Sequence, residues 1–324
     1  MNPQAQVGPL DHGVELRVGR FHMVNDSRMA ALTDGCVAPE RLPHAIADVP
    51  CPICSGKSRH FVTKRAQGID WHIHTCKRCG HGFVSNRPSA EYLRLYYGSN
   101  RNSHAHSDAS PTPAAASLGW KPAVAALRQA GAPLSGFTLD VGAGYGGLAY
   151  ALSQAGYKPV LLDLSAEVLS LAASIPNASG ACCSFEDFTW SSPLSIITMS
   201  QVLEHAIDPV AWLTHARRLM RPDGVMLVAV PNFGGVYRLL GRRDPFICPP
   251  EHLNFFTVAS LTRAVQASGF TVRSVRTDSR VVLTHHAKRF SSLRLVAGGL
   301  WNLGSRVLNR TPFGIITTVF AKPS

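Results

Sequence analysis

The run Leu139-Asp140-Val141-Gly142-Ala143-Gly144-Tyr145-Gly146-Gly147 constrains this chain more than any other feature. A short apolar segment hands over to closely spaced glycines and then to a helical pattern, which predicts strand, tight turn and helix. Glycines there let a ligand approach the backbone at the helix N-terminus. Gly142, Gly144 and Gly147 also satisfy the dinucleotide spacing GxGxxG, so the glycines alone leave the ligand open. Asp140 breaks the tie. Two residues before Gly142 it would repel a pyrophosphate, and it suits a ligand with an ammonium group, such as the methionine part of S-adenosylmethionine (SAM). Asp163 ends the next apolar run, 23 residues after Asp140, where a carboxylate can accept both ribose hydroxyls.

From Trp120 onward, apolar runs alternate with amphipathic stretches, the pattern of βα units around a parallel sheet. Strands are predicted at Thr138–Val141, Pro159–Leu162, Ala181–Cys183, Ser195–Met199, Val225–Val230, Thr271–Val275 and Ile315–Ala321. Helices are predicted at Pro122–Ala130, Gly147–Ala155, Ala166–Ser174, Pro209–Met220 and Val258–Ser268. The 324 residues suffice for about two domains. With 45% apolar and 16% charged residues, a disordered chain is excluded. No apolar run reaches the ~18 residues of a membrane span. The N-terminus lacks a basic stretch followed by an apolar one, so a soluble, cytoplasmic protein is expected.

Ahead of the predicted sheet lie Cys51-Pro-Ile-Cys54 and Cys76-Lys-Arg-Cys79, 21 residues apart. Each CxxC turn can aim two thiolates at one ion, and the two together complete a closed, structural zinc site. Trp71–Thr75 alternates like a strand leading into the second turn, and His72 and His74 on it are competing ligand candidates. The chain divides into an irregular arm (1–48), a cysteine module with a following helix (49–100), a Ser-, Ala- and His-rich linker (101–119) and the α/β domain (120–324). Within the last, residues 287–310 read as a basic amphipathic insertion.

The net charge of +12 is unevenly placed. Residues 211–324 hold 16 Lys and Arg against 4 Asp and Glu, whereas residues 101–210 hold 4 against 8. Such a basic part suits a phosphorylated acceptor, a nucleic acid or an anionic membrane surface, and charge alone does not choose.

Further segments carry a resemblance. Val202-Leu203-Glu204-His205-Ala206-Ile207-Asp208-Pro209, Leu219-Met220-Arg221-Pro222-Asp223-Gly224, and Pro250-Glu251-His252-Leu253-Asn254-Phe255-Phe256 follow the glycine turn in that order. Together with it they resemble class I SAM-dependent methyltransferases. The order of zinc ribbon, Arg87-Pro-Ser-Ala-Glu-Tyr-Leu-Arg-Leu-Tyr-Tyr97 and methyltransferase is similar to bacterial enzymes of sugar and polysaccharide pathways. The resemblance implies a Rossmann-like fold with a seven-stranded, mostly parallel sheet after a small zinc ribbon. It also implies SAM and a structural Zn²⁺ as cofactors.

By the same resemblance, Gly142, Ala143, Gly144 and Gly146, together with Asp140, Asp163, Leu164 and Gln201, line the cofactor site. The acidic adenine partner expected after the third strand aligns with Ser184; Glu186 and Asp187 stand two and three residues later at the cofactor site, and Asp187 or a backbone group is the expected substitute. His252, oriented by the Glu251 carboxylate, is the expected general base, and it should act near neutral pH. His205 stands beside the cofactor. Gln201, Glu204 and His205 also occupy the place where some related O-methyltransferases hold a divalent ion with Glu-x-x-Glu-His. The expected acceptor is a small or carrier-linked metabolite: a nucleotide sugar, glycan or lipid-linked intermediate. RNA is the second choice.

Overall fold

The computed structural model describes residues 49–90, 92, 93, 96, 111–278, 314 and 316–324. The N-terminal arm, residues 101–110 of the linker and the basic insertion at 287–310 lie outside them. In chain order the strands are β1 (Ser58–Ala66), β2 (Ile69–Cys76), β3 (Gly82–Val84), β4 (Phe137–Val141), β5 (Lys158–Asp163), β6 (Ser179–Cys182), β7 (Leu194–Ser200), β8 (Met220–Pro231), β9 (Asn254–Phe255), β10 (Phe270–Asp278) and β11 (Ile316–Pro323). The helices are α1 (Pro113–Ser117), α2 (Lys121–Gln129), α3 (Gly147–Gln154), α4 (Glu167–Ala173), α5 (Pro209–Leu219) and α6 (Val258–Ala267). Every strand and helix predicted from Trp120 onward is present, with ends shifted by a few residues.

Seven strands form one sheet in the order β10-β11-β8-β7-β4-β5-β6. The pairs among β4, β5, β6, β7 and β8 are parallel, and β11 runs antiparallel to both its neighbours. Strand order reverses at β4, between β5 and β7, which opens a crevice at the carboxyl ends of the strands where ligands bind in such sheets. Successive residues of a strand face opposite sides. Ile197 and Met199 therefore pack with Leu213 of α5 and Leu261 of α6, while Ile196 packs with Leu127 of α2 and Leu152 of α3 on the other side.

Composition suggested a linker up to residue 119, but residues 113–117 form a short helix capped by Thr112. Its alanines pack against the first turn of α3: a Cβ on Gly147 would lie 2.7 Å from that of Ala116. Small residues, which resemble a linker in composition, are there because the two helices nearly touch.

The cysteine module is a three-stranded antiparallel sheet. β1 and β2 join through Gln67 and Gly68, both at positive φ, a two-residue hairpin that accommodates the long spacer. Of the helix expected after Pro88, the described positions Ala90, Tyr92, Leu93 and Tyr96 are helical. A fourth strand was not foreseen. β9 pairs with β3, so the ribbon sheet takes its edge strand from the Glu251-His252-Leu253-Asn254-Phe255-Phe256 segment of the α/β domain. Trp71, Ile73 and Val84 of the ribbon share one core with Phe233, Leu253 and Phe255.

Arg87 locks that junction. It is buried, and its guanidinium donates to the Asn254 Oδ1 at 2.6 Å and to the Ile207 carbonyl. Asn254 in turn donates through Nδ2 to the carbonyls of Ala206, at 2.7 Å, and Glu204, at 3.3 Å. Arg87→Leu strips two charge-assisted hydrogen bonds from buried acceptors. It should lower stability by about 2–4 kcal/mol in urea denaturation.

Candidate functional site

The crevice starts at the glycine turn. Gly142, Gly144 and Gly146 all have φ between +51° and +69°, a region closed to most side chains, and Gly146 caps α3. The amides of Gly142 and Ala143 donate to the Leu162 carbonyl, which ties the turn to β5. A Cβ on Gly144 would meet nothing within 4 Å, whereas one on Gly142 would lie 2.9 Å from Val202 Cγ2. The turn is thus open at Gly144, and the loop after β7 closes on it at Gly142.

Asp140 is buried beneath this turn and accepts a 2.7 Å hydrogen bond from Thr198 Oγ1 on β7. Burial pushes its carboxyl up to about 7, and the nearby Asp163 charge adds to the rise against the pull of Thr198. Asp163 stands at the end of β5. Its two oxygens accept from the amides of Gly144 (3.3 Å) and Ser165 (3.1 Å), which fixes the carboxylate and leaves lone pairs for a ligand's hydroxyls. An open glycine turn, a buried carboxylate short of charge and a second carboxylate held in place fit SAM. Leu164 beside it is 57% exposed, an apolar surface for a base.

Three other expected cofactor residues are engaged elsewhere. Glu186 accepts from Trp212 Nε1 at 2.6 Å. Asp187 is held by the Ser184 hydroxyl at 2.7 Å, so the residue in the usual acidic position orients the one nearby. Gln201, at φ 58°, folds its amide back to the Ala229 carbonyl.

The far wall of the crevice is the 3₁₀ turn Leu203–His205 with the segment that leads into β9. His205 Nδ1 lies 2.9 Å from the Glu251 carbonyl, and His252 Nδ1 lies 2.8 Å from the Phe246 carbonyl. The two rings meet edge to face at 4.9 Å. Two expectations change here. The group on His252 Nδ1 is a main-chain carbonyl rather than the Glu251 carboxylate, because the tight turn at Asp244–Ile247 brings the Phe246 carbonyl there. Burial also lowers the His252 imidazolium to about 4, so a titration limb near neutrality is not expected from it. Beside the rings, Glu204 is buried, and neither of its oxygens accepts a hydrogen bond from another residue. Burial raises its carboxyl to about 8, and the Glu251 charge adds to the rise.

The cysteines converge. Sγ–Sγ distances are 3.6 Å for Cys51–Cys79, 3.8 Å for Cys51–Cys54 and 3.6 Å for Cys54–Cys76. Thiolates about 2.3 Å from a tetrahedral zinc sit about 3.8 Å apart, so the set fits the ion. Ser55 and Gly80, at positive φ, turn the two loops back on Cys51 and Cys76. His72 and His74 do not compete: their Nδ1 atoms contact Thr63 and Ser58 hydroxyls on β1.

Comparison with known proteins agrees with this geometry. Residues 119–275 match a family described as a methyltransferase domain. The ubiquinone biosynthesis O-methyltransferase of Actinobacillus pleuropneumoniae serotype 7 is 28% identical over 159 residues, 41% of this chain and 68% of that one. The tRNA 5-carboxymethoxyuridine methyltransferase of Escherichia coli K12 is 29% identical over 107 residues, 30% of this chain and 41% of that one. A SAM-dependent methyltransferase structure from Clostridium acetobutylicum covers 72% of this chain and 99% of its own at 12% identity and a TM-score of 0.44. Residues 119–275 are thus a methyltransferase domain of the class I, SAM-dependent kind. This domain follows a four-cysteine module compatible with a zinc ribbon.

Chelating the ion from the four cysteines should unfold the ribbon, because metal-binding energy is folding energy in so small a module. The checks are native mass spectrometry and near-ultraviolet dichroism of buried Trp71; a folded, metal-free chain contradicts the assignment. Asp140 makes a second expectation. Its ionised form attracts the SAM ammonium group, so lowering the pH from 8 to 6, through about 7, should weaken SAM binding about tenfold. Calorimetry should find Asp140→Asn weaker and flat with pH.

Proposed function

We propose that this methyltransferase transfers the SAM methyl group to an oxygen-bearing small or carrier-linked metabolite: a nucleotide sugar, glycan or lipid-linked intermediate. The observation that carries the reading is the wall opposite the glycine turn, where His205 and His252 meet beside the buried Glu204. The carbonyls of Glu251 and Phe246 hold the two imidazoles, and the loop that carries Glu204 and His205 reaches the cofactor turn at Val202. A hydroxyl or carboxylate oxygen placed there faces the cofactor.

SAM brings an activated methyl on a sulfonium, so the protein's share is chiefly alignment. Asp140 and Asp163 fix the two ends of the cofactor. The segment from Glu251 to Phe256, pinned to the ribbon through β9, fixes the acceptor wall. The names of the two relatives support an oxygen acceptor in one case and a tRNA base in the other. For the second, basic side chains at Lys57, Arg59 and Lys77 on and beside β1 would supply phosphate contacts. The loop after β7 reads Ser200-Gln201-Val202-Leu203, without the Asn/Asp-Pro-Pro-aromatic run that stacks a flipped base, which favours the small acceptor.

Transfer of labelled methyl from SAM into fractionated cell extract tests the reading, and digestion of the labelled product with nuclease separates RNA from metabolite. Asp163→Ala should weaken SAM binding by about 1–3 kcal/mol. His252→Ala should leave SAM affinity nearly unchanged and slow transfer by about 10²-fold or more. Normal turnover in the His252 variant would remove this wall from the reaction.

A further inference from the structure

Glu204 is anomalous on its own terms. A carboxylate at 1% exposure normally has several donors, and both oxygens of this one have none from another residue. Such a group calls for an explanation. One oxygen of Glu204 and one nitrogen each of His205 and His252 lie within 4.8 Å of one another.

The tautomers are fixed by chemistry. A carbonyl oxygen can only accept, so the Nδ1 atoms facing the Glu251 and Phe246 carbonyls carry the protons. Nε2 of each ring therefore carries the lone pair. Metal-ligating histidines are oriented in the same way, with the far nitrogen donating to a carbonyl or carboxylate.

We propose that Glu204, His205 and His252 bind a divalent first-row transition ion, zinc in the first instance, and that its open position takes the acceptor's oxygen. Two imidazoles and one carboxylate form a three-ligand set that leaves room for water or substrate. Ligand atoms about 2.1 Å from an ion lie about 3.4 Å apart, so the three groups need to close by less than about 1 Å each. The ion also supplies the partner that the buried carboxylate lacks. His205 and His252 each keep part of their surface exposed, so the site is not sealed from solvent.

This set is not the one expected from sequence. Gln201 would be the first ligand of the Glu-x-x-Glu-His arrangement, but its amide is turned to Ala229. His252, 47 residues beyond His205, takes the third place instead.

The assignment rests on the reading of this wall as the acceptor side, and its test separates the two. Full-length chain is titrated with Co²⁺ and with Zn²⁺, and bound ions are counted by native mass spectrometry. SAM affinity is measured on the same samples. Two ions per chain are expected. The first should show thiolate-to-cobalt charge transfer; the second should lack it. Glu204→Gln and His205→Ala should each weaken the second ion at least about 100-fold and leave the first in place. If Glu204→Gln does not fold, the half-buried His205→Ala decides. Saturation at one ion, or a second ion indifferent to His205→Ala, overturns the metal site even where SAM binds normally. Two ions without SAM affinity would support the metal site and overturn the methyltransferase reading of the crevice.

Discussion

The hydrogen bonds of Asn254 are the interaction on which the rest depends. Its side chain accepts from Arg87 and donates to the carbonyls of Glu204 and Ala206, while its backbone pairs with β3. One residue therefore joins three segments far apart in sequence: the ribbon, the loop after β7 and the segment before α6. All of these bonds are out of water, where a missing partner costs about 1–3 kcal/mol. The distance between the glycine turn and the opposite wall is thus set by a closed network rather than by a loop free to drift.

Charge is treated differently on the two sides of the crevice. On the cofactor side, Asp140 is buried beside one hydroxyl donor, and Asp163 is neutralised in part by two amides. On the opposite wall, neither side-chain oxygen of Glu204 has a donor from its neighbours. Both buried carboxyls have raised proton affinity, so each gains most when a cation arrives. A sheet that opens a crevice at β4 can supply position, but the incoming ligand completes the electrostatics.

Much of this was legible in the sequence, for physical reasons. Period-2 apolar runs and period-3.6 stretches located the strands and helices of the α/β domain, because burial on one or two faces enforces those periods. The glycine turn with Asp140 and Asp163, and the paired CxxC turns, declared themselves because tight backbone geometry admits few other residues. What stayed hidden involves contacts without a period. The strand Asn254–Phe255 is two residues long, and pairing across 170 residues leaves no local mark. Arg87 precedes a proline, and nothing local in the sequence marks it as buried. Glu251 looked like the partner of His252 because they are adjacent, yet its main-chain carbonyl serves His205 instead. Asp187 was the expected substitute for an acid missing at Ser184, and the two are a hydrogen-bonded pair.

The shared strand has a consequence for how such a protein can vary. A ribbon that ended its sheet at β3 could be lost or exchanged like a tag on a string. Here the last strand belongs to the catalytic domain, so deleting the module would leave Phe255 and Phe233 uncovered and the main chain at Asn254 without its ladder. Neither part has a complete surface alone. Changes in the cysteine module and in the segment before α6 must therefore be inherited together, and a chimera cut between them would have to carry β9 along with the ribbon.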